Sequence, residues 1–116
     1  GSLVALLRTV NGVRFLATKV EVDSSDLLRD LAFEMKKQEK DLFVVLGAEV
    51  EGKPFICVLI SDNLVEAKKY NAAQFVRELG KEIEGSGGGQ PFYAMAGGKN
   101  KEGLSRALEK ASSLLS

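Results

Sequence analysis

Apolar residues alternate with polar ones at the start of the chain, and the period then changes. Leu6 to Val10 and Val13 to Val22 flank Asn11-Gly12, a dipeptide suited to a type I′ hairpin because both central residues need φ > 0. On the second arm Leu16, Thr18, Val20 and Val22 share one face. Ser24 or Ser25 stands where a helix N-cap belongs. Leu27, Leu28, Leu31, Ala32 and Met35 follow at helical spacing, with Arg29, Asp30, Glu34 and Lys37 mostly off that stripe. Asp41 to Val50 and Pro54 to Ser61 are nearly continuous apolar runs around Glu51-Gly52-Lys53. They predict a central hairpin buried on both faces for much of its length.

Asp62 to Tyr70 reads as a polar connector, and Asn71 with Gln74 has capping-box spacing. Phe75, Val76, Leu79 and Ile83 then form a second helical stripe. Near the end Asn100 is placed to cap a last helix with Leu104, Ala107, Leu108, Ala111 and Leu115 inward. The order ββ-α-ββ-α-β-α defines a single α/β domain, a mixed β-sheet of about five strands covered by about three helices. Gly1-Ser2 reads as an expression-tag scar, so residues 3–116 are expected to form the globular domain of an excised fragment.

Between the last two helices lies a stretch unlike the rest. Eight of the twelve glycines fall between Gly80 and Gly103. Gly85-Ser86-Gly87-Gly88-Gly89-Gln90-Pro91 reads as a loop, Phe92 to Ala96 as a buried strand, and Gly97-Gly98 as a turn into the last helix. Bare amides in such a run can form an anion-binding nest, and a helix N-terminus adds further amides. A Gly/Ser linker has the same composition, but the second glycine pair and the flanking helices argue against a linker. A nucleotide P-loop fits poorly, because no Gly-Lys-Ser/Thr follows. Of Phe92 and Tyr93, strand alternation turns one toward the core and leaves the other able to stack on a base.

Composition narrows the chemistry. Sixteen acidic residues balance sixteen basic ones in 116 residues, which argues against strong standalone binding to polyanions. The chain has no histidine and one cysteine, Cys57. Ser-His-Asp and Cys-His catalysis, His metal sites and an intrachain disulfide are thereby excluded. Cys57 lies inside an apolar run and reads as a core residue. Asp23, Asp26 and Asp30 at a helix start are explained by the macrodipole rather than by a cation. Lys36, Lys37 and Lys40 read as a solvated helix end. Lys99 and Lys101 at the start of the last helix are placed against the dipole, which an anionic partner would make favourable.

Gly87-Gly88-Gly89-Gln90-Pro91 followed by Ala94-x-Ala96-Gly97-Gly98 resembles the glycine motif of the domain associated with DHH phosphodiesterases. It is more closely similar to the version that ends alanyl-tRNA synthetases, the C-Ala domain. The resemblance extends to Val10-Asn11-Gly12-Val13, the Ser25 to Lys37 helix and Val44-Val45-Leu46-Gly47, nearly the whole chain. It departs at Gln90, where the family usually carries a basic residue, and at Phe92, where Asp is common. Gln90 keeps an amide for hydrogen bonding but brings no charge.

The resemblance implies a noncatalytic, metal-free tRNA-binding module of an alanine–tRNA ligase. Such a module docks on the tRNA elbow and couples the aminoacylation and editing domains of the parent chain. The residues it implies for tRNA contact are Gly87, Gly88, Gly89, Gln90, Tyr93, Gly97, Gly98, Lys99 and Lys101. The domain itself would need no cofactor; the parent would use ATP, Mg and Zn, work in the cytoplasm without a membrane, and be capable of forming a homo-oligomer. Two other readings stay open: the substrate-binding half of a DHH oligonucleotide phosphodiesterase, and an oligomerisation or interaction module with an exposed apolar helix face.

Overall fold

The structure is a computed structural model and describes residues 3–115; the expected scar at Gly1-Ser2 lies outside the described residues. A 3-10 turn over Leu3–Leu6 leads into β1 (Arg8–Val10) and β2 (Val13–Lys19). The turn residues Asn11 and Gly12 have φ of 50° and 83°, the left-handed pair the hairpin requires. Both arms are shorter than their apolar pattern. Residues 3–6 coil back, and β2 ends where its pairing with Gly47 ends. Val20 and Val22 still pack on the face they share with Leu16.

Helix α1 (Ser25–Gln38) starts at Ser24, whose Oγ accepts the Leu27 N–H at 3.1 Å. Leu28, Ala32 and Met35 are buried, whereas Leu27 remains 45% exposed at the outer margin of the predicted stripe. Strands β3 (Leu42–Val50) and β4 (Lys53–Ile60) form the central hairpin, turning through Glu51 and Gly52. The expected polar connector is instead a short helix, α2 (Asp62–Lys68), which buries Leu64. One buried and one half-buried apolar residue, Leu64 and Val65, are too few to display a helical period. The Ser61 hydroxyl accepts the Leu42 N–H at 2.8 Å, and the Ser61 carbonyl accepts the Leu64 and Val65 amides.

Helix α3 (Ala72–Gly80) is capped by Asn71, whose side chain accepts the Gln74 N–H at 3.2 Å. After a 3-10 turn over Lys81–Ile83 come β5 (Ser86–Gly89), β6 (Tyr93–Gly97) and α4 (Leu104–Lys110). The chain tightens again into a 3-10 turn over Ala111–Leu115. Three residues per turn put Leu114 inward below Ala111, and the expected Leu115 packs half-buried against the same core.

The sheet order is β1-β2-β3-β4-β6-β5, with β2 and β3 parallel and all other pairs antiparallel. The sixth strand is the glycine stretch and the fourth helix is α2, which account for the difference from the expected five and three. Side chains of β3 and β4 alternate between two cores. Phe43, Val45, Ile56 and Val58 meet α2, α3 and α4 on one face; Val44, Leu46, Cys57 and Leu59 meet α1 on the other. Phe43 centres the first core, 5.5 Å from Phe15, 5.2 Å from Tyr70 and 5.6 Å from Phe75 between ring centroids. Cys57, under α1, directs its thiol at the Leu28 carbonyl, and burial pushes its pKa from 9.0 up to about 12.

Phe43→Ala should lower unfolding stability by about 3–5 kcal/mol in urea denaturation, the range for deleting a buried phenyl ring. Alkaline pH should act through Cys57. Below about pH 9 both folded and unfolded thiols hold their proton. Between about 9 and 12 only the unfolded chain ionises, so stability falls as pH rises through that window. Urea midpoints from pH 8 to 11 should decline, and Cys57→Ala should reduce the slope.

Candidate functional site

The glycines of β5 do not form a loop. They make an edge strand paired with β6, Gly87 opposite Ala96, Gly88 opposite Met95 and Gly89 opposite Ala94. An added Cβ at Gly87 would lie 2.5 Å from the Ala96 Cα and press on the Met95 carbonyl. At Gly89, where φ is 155°, it would lie 2.7 Å from the Ala94 Cα. Side chains are excluded at both positions by backbone. Gly88 differs, because a Cβ there meets nothing within 4 Å. The missing side chain at 88 leaves open surface.

Gln90 and Tyr93 exchange both backbone hydrogen bonds, at 2.7 and 3.3 Å, and close the hairpin over Pro91-Phe92. In an antiparallel ladder such pairs alternate, so Gly88 bonds to Met95 while the amides of Gly87 and Gly89 face the open edge. An extended strand sends successive amides to opposite sides, so the run does not form the anion nest its composition suggested. The turn is fixed from two sides. The Pro91 carbonyl accepts the Ala72 N–H at 2.8 Å, and the Phe92 carbonyl accepts the Ile60 N–H at 2.9 Å.

Helix α3 covers β5 and β6 on one face, whereas α1 packs mainly on β3 and β4 on the other and reaches β6 at Tyr93 through Phe33 and Arg29. A shelf is therefore left on the α1 side. Tyr93, Met95 and Gly97 of β6 share this face with Gly88 and Ser86, and Phe55 of β4 lies against Gly97. At one end the shelf deepens into an open cleft of 570 Å³ lined by Lys53, Phe55, Glu84, Gly85, Gly97, Gly98 and Lys99, among others. At the other end stand Phe92 and the Arg29, Phe33 and Lys36 side of α1.

The structure brings Gly88, Tyr93, Gly97, Gly98 and Lys99 to this shelf and its cleft, with Gly87, Gly89 and Gln90 along its edge. Tyr93 is half-buried, its ring 5.1 Å from Phe33, and the Arg29 guanidinium lies 5.6 Å from its centroid. Its hydroxyl is buried beside Cys57 without a well-formed hydrogen bond. Burial, with the neighbouring Cys57, raises its pKa, and Arg29 opposes the rise. The strand begins at Tyr93 rather than at the expected Phe92: Tyr93 turns inward, and Phe92, in the hairpin turn, stays outside, 38% exposed.

Lys101 is not brought to the shelf. It lies 3.6 Å from Glu49, whose side of β3 faces the opposite core. Arg106 and Lys110 both pair with Glu82, at 3.4 and 3.5 Å. Lys99 and Lys53 make no ion pair among the described residues. The expected helix N-terminus is also spent internally. The amides of Lys99 and Asn100 both donate to the Ile83 carbonyl, the Asn100 side chain donates to the Glu82 carbonyl, and a 3-10 turn precedes α4. Arg29, Phe33 and Lys36 were not singled out together from the sequence, although their i, i+4, i+7 spacing places them on one stripe of α1. Among the described residues no group of three or more His, Cys, Asp or Glu side chains is arranged to hold a metal.

This arrangement of a mixed sheet, a side-chain-free hairpin strand and a Gly-Gly turn belongs to a known class. The chain is a member of the DHHA1 domain family, whose pattern matches residues 12–116. It is 50% identical over 109 residues to the alanine–tRNA ligase of Christiangramia forsetii, 94% of this chain and 12% of that protein. Over 114 residues it is 45% identical to the enzyme of the same name from Cytophaga hutchinsonii, 98% of this chain and 13% of that protein. The C-Ala domain of Aquifex aeolicus alanyl-tRNA synthetase shares the fold with a TM-score of 0.82 and 25% identity, covering 94% of this chain and 96% of that one. The chain thus spans about an eighth of the length of the curated relatives it matches.

The glycines separate by substitution. Gly87→Ala should lower stability by about 1–3 kcal/mol, the range for overpacking against fixed neighbours. Gly88→Ala should leave it unchanged or raise it by up to ~1 kcal/mol, since the change only reduces unfolded-chain entropy. Urea denaturation of the pair checks both signs.

Proposed function

We propose that this chain is the C-terminal tRNA-binding domain of an alanine–tRNA ligase. It docks on the tRNA elbow and helps the aminoacylation and editing domains act on the same tRNA. The observation that carries the reading is the similarity to alanine–tRNA ligases over nearly the whole chain. The open shelf supports it physically. Gly88 lets a sugar-phosphate chain approach the backbone, Lys99 and Lys53 supply positive charge outside any ion pair, and Gln90 offers an amide at the edge. Lys101 contributes only if RNA draws it from Glu49. The ATP, Mg and Zn chemistry of the parent lies in its other domains, and any homo-oligomer forms through the parent. No described helix is long and apolar enough to cross a membrane.

A domain of zero net charge binds RNA weakly, on the order of the 10⁻⁴–10⁻⁶ M of non-specific electrostatic contacts. Tethering to a parent that holds the acceptor stem supplies roughly millimolar effective concentration, which makes such a contact useful.

The test is binding of the chain to a tRNA-Ala transcript and to an elbow-deleted minihelix across a salt series. Weak, salt-sensitive binding that needs the elbow and is reduced at least fivefold in Gly88→Val is expected. Equal binding to both RNAs, or none to either at low salt, would overturn the reading.

A further inference from the structure

The two sides of α1 differ in charge. One side, with β2's continuation, lines an open groove of 440 Å³ in which Val22, Leu27 and Leu31 are ringed by Glu21, Asp23, Asp30 and Glu34. Four carboxylates there repel a polyanion. The opposite side carries Arg29, Phe33 and Lys36 in one stripe against the β5–β6 turn. The Arg29 guanidinium lies 4.5 Å from the Phe33 ring centroid. The Lys36 ammonium lies 5.9 Å from Phe33 and 5.6 Å from Phe92. Neither cation has a carboxylate within ion-pair distance among the described residues. Among the described residues Phe92 is one of three exposed large apolar side chains, with Leu6 and Leu27, and the aromatic one of the three.

We propose that Phe92 is a stacking platform for one unpaired nucleobase, with Lys36 and Arg29 neutralising the phosphates of the same strand. The proposal deepens the RNA-binding reading above and rests on it for the identity of the natural partner. Three features fit this ligand. An aromatic face accepts any base, and adjacent cations match the backbone charge that accompanies it. The Phe92 backbone is held by the Ile60 N–H and sits beside Pro91, so the ring is presented from a fixed turn. The shelf beside it runs from Tyr93 past Met95 to Gly97, roughly 13 Å at strand rise. It ends at the cleft where Lys53 and Lys99 outnumber the single carboxylate of Glu84, so a strand whose base stacks on Phe92 finds cations at both ends of its path. A fully paired helix offers no such base, which makes unpaired or splayed nucleotides the preferred substrate.

The experiment uses an eight-nucleotide oligo(rA) carrying 2-aminopurine, an abasic phosphodiester oligomer of equal length, and the tRNA-Ala transcript. Phe92→Ala should weaken the 2-aminopurine oligomer by about 5- to 150-fold and remove its fluorescence quenching, while Phe92→Trp keeps both. The abasic oligomer should bind wild type and Phe92→Ala alike, and Lys36→Ala should reduce the salt slope by about one. Urea midpoints equal to wild type establish that each variant is folded. Binding of Phe92→Ala within twofold of wild type overturns the proposal. So does an abasic oligomer that binds as tightly as the adenine one, or an absence of oligonucleotide binding at low salt. Elbow-independent tRNA binding combined with Phe92-dependent quenching would overturn the elbow reading and leave the stacking site standing.

Discussion

The close approach of the β5 backbone to β6 is the constraint on which the rest of this structure depends. Positions 87 and 89 have backbone where a Cβ would be, so only glycine lets the strand lie flat against Ala94 and Ala96. That contact makes β5 a sixth strand, gives α3 a surface to cover, and closes the hairpin at Gln90 and Tyr93. It also fixes where the turn points. With the Pro91 and Phe92 carbonyls bonded to α3 and β4, the turn holds an aromatic ring beside the cationic stripe of α1. A glycine run that looks flexible in sequence is thus among the more constrained parts of the chain.

What the sequence made legible followed from side chains that repeat. Alternation at Leu16, Val20 and Val22, helical spacing at Leu28, Ala32 and Met35, the Asn-Gly turn, and the Ser24 and Asn71 caps all express one local rule each, and tertiary packing agreed with them. The β5 strand was hidden because glycine shows no alternation; nothing in Ser-Gly-Gly-Gly reveals which faces are in and out. Helix α2 was hidden by its length. The site was only partly legible for another reason. Charges adjacent in sequence separate in space, as Lys99 and Lys101 do, since one lines the cleft and the other meets Glu49 on the far face. Residues far apart, Lys36 and Phe92, converge.

Net charge conceals the same segregation. The sum of sixteen and sixteen is zero, yet Glu49 and Glu82 neutralise cations on the α4 side, and the carboxylates of α1 gather around Leu27 and Leu31. Arg29, Lys36, Lys53 and Lys99 are among the cations without an ion pair in the described residues, and they flank the shelf at its two ends, with Glu84 beside Lys53 and Lys99 in the cleft. A domain of this kind has a direction in a field though it has little pull at a distance. Such a charge distribution suits a tethered module better than an independent capture domain.

The shelf is also packed from beneath. The Tyr93 ring sits against Phe33 while its hydroxyl reaches into the α1 core beside Cys57, both groups held neutral by burial. The floor at Tyr93 therefore shares its packing with the core under α1, and a surface already packed in place costs less to order on association. The glycines that let β5 lie against β6 thus also set the exposed ring of Phe92 and the open surface at Gly88 on one hairpin.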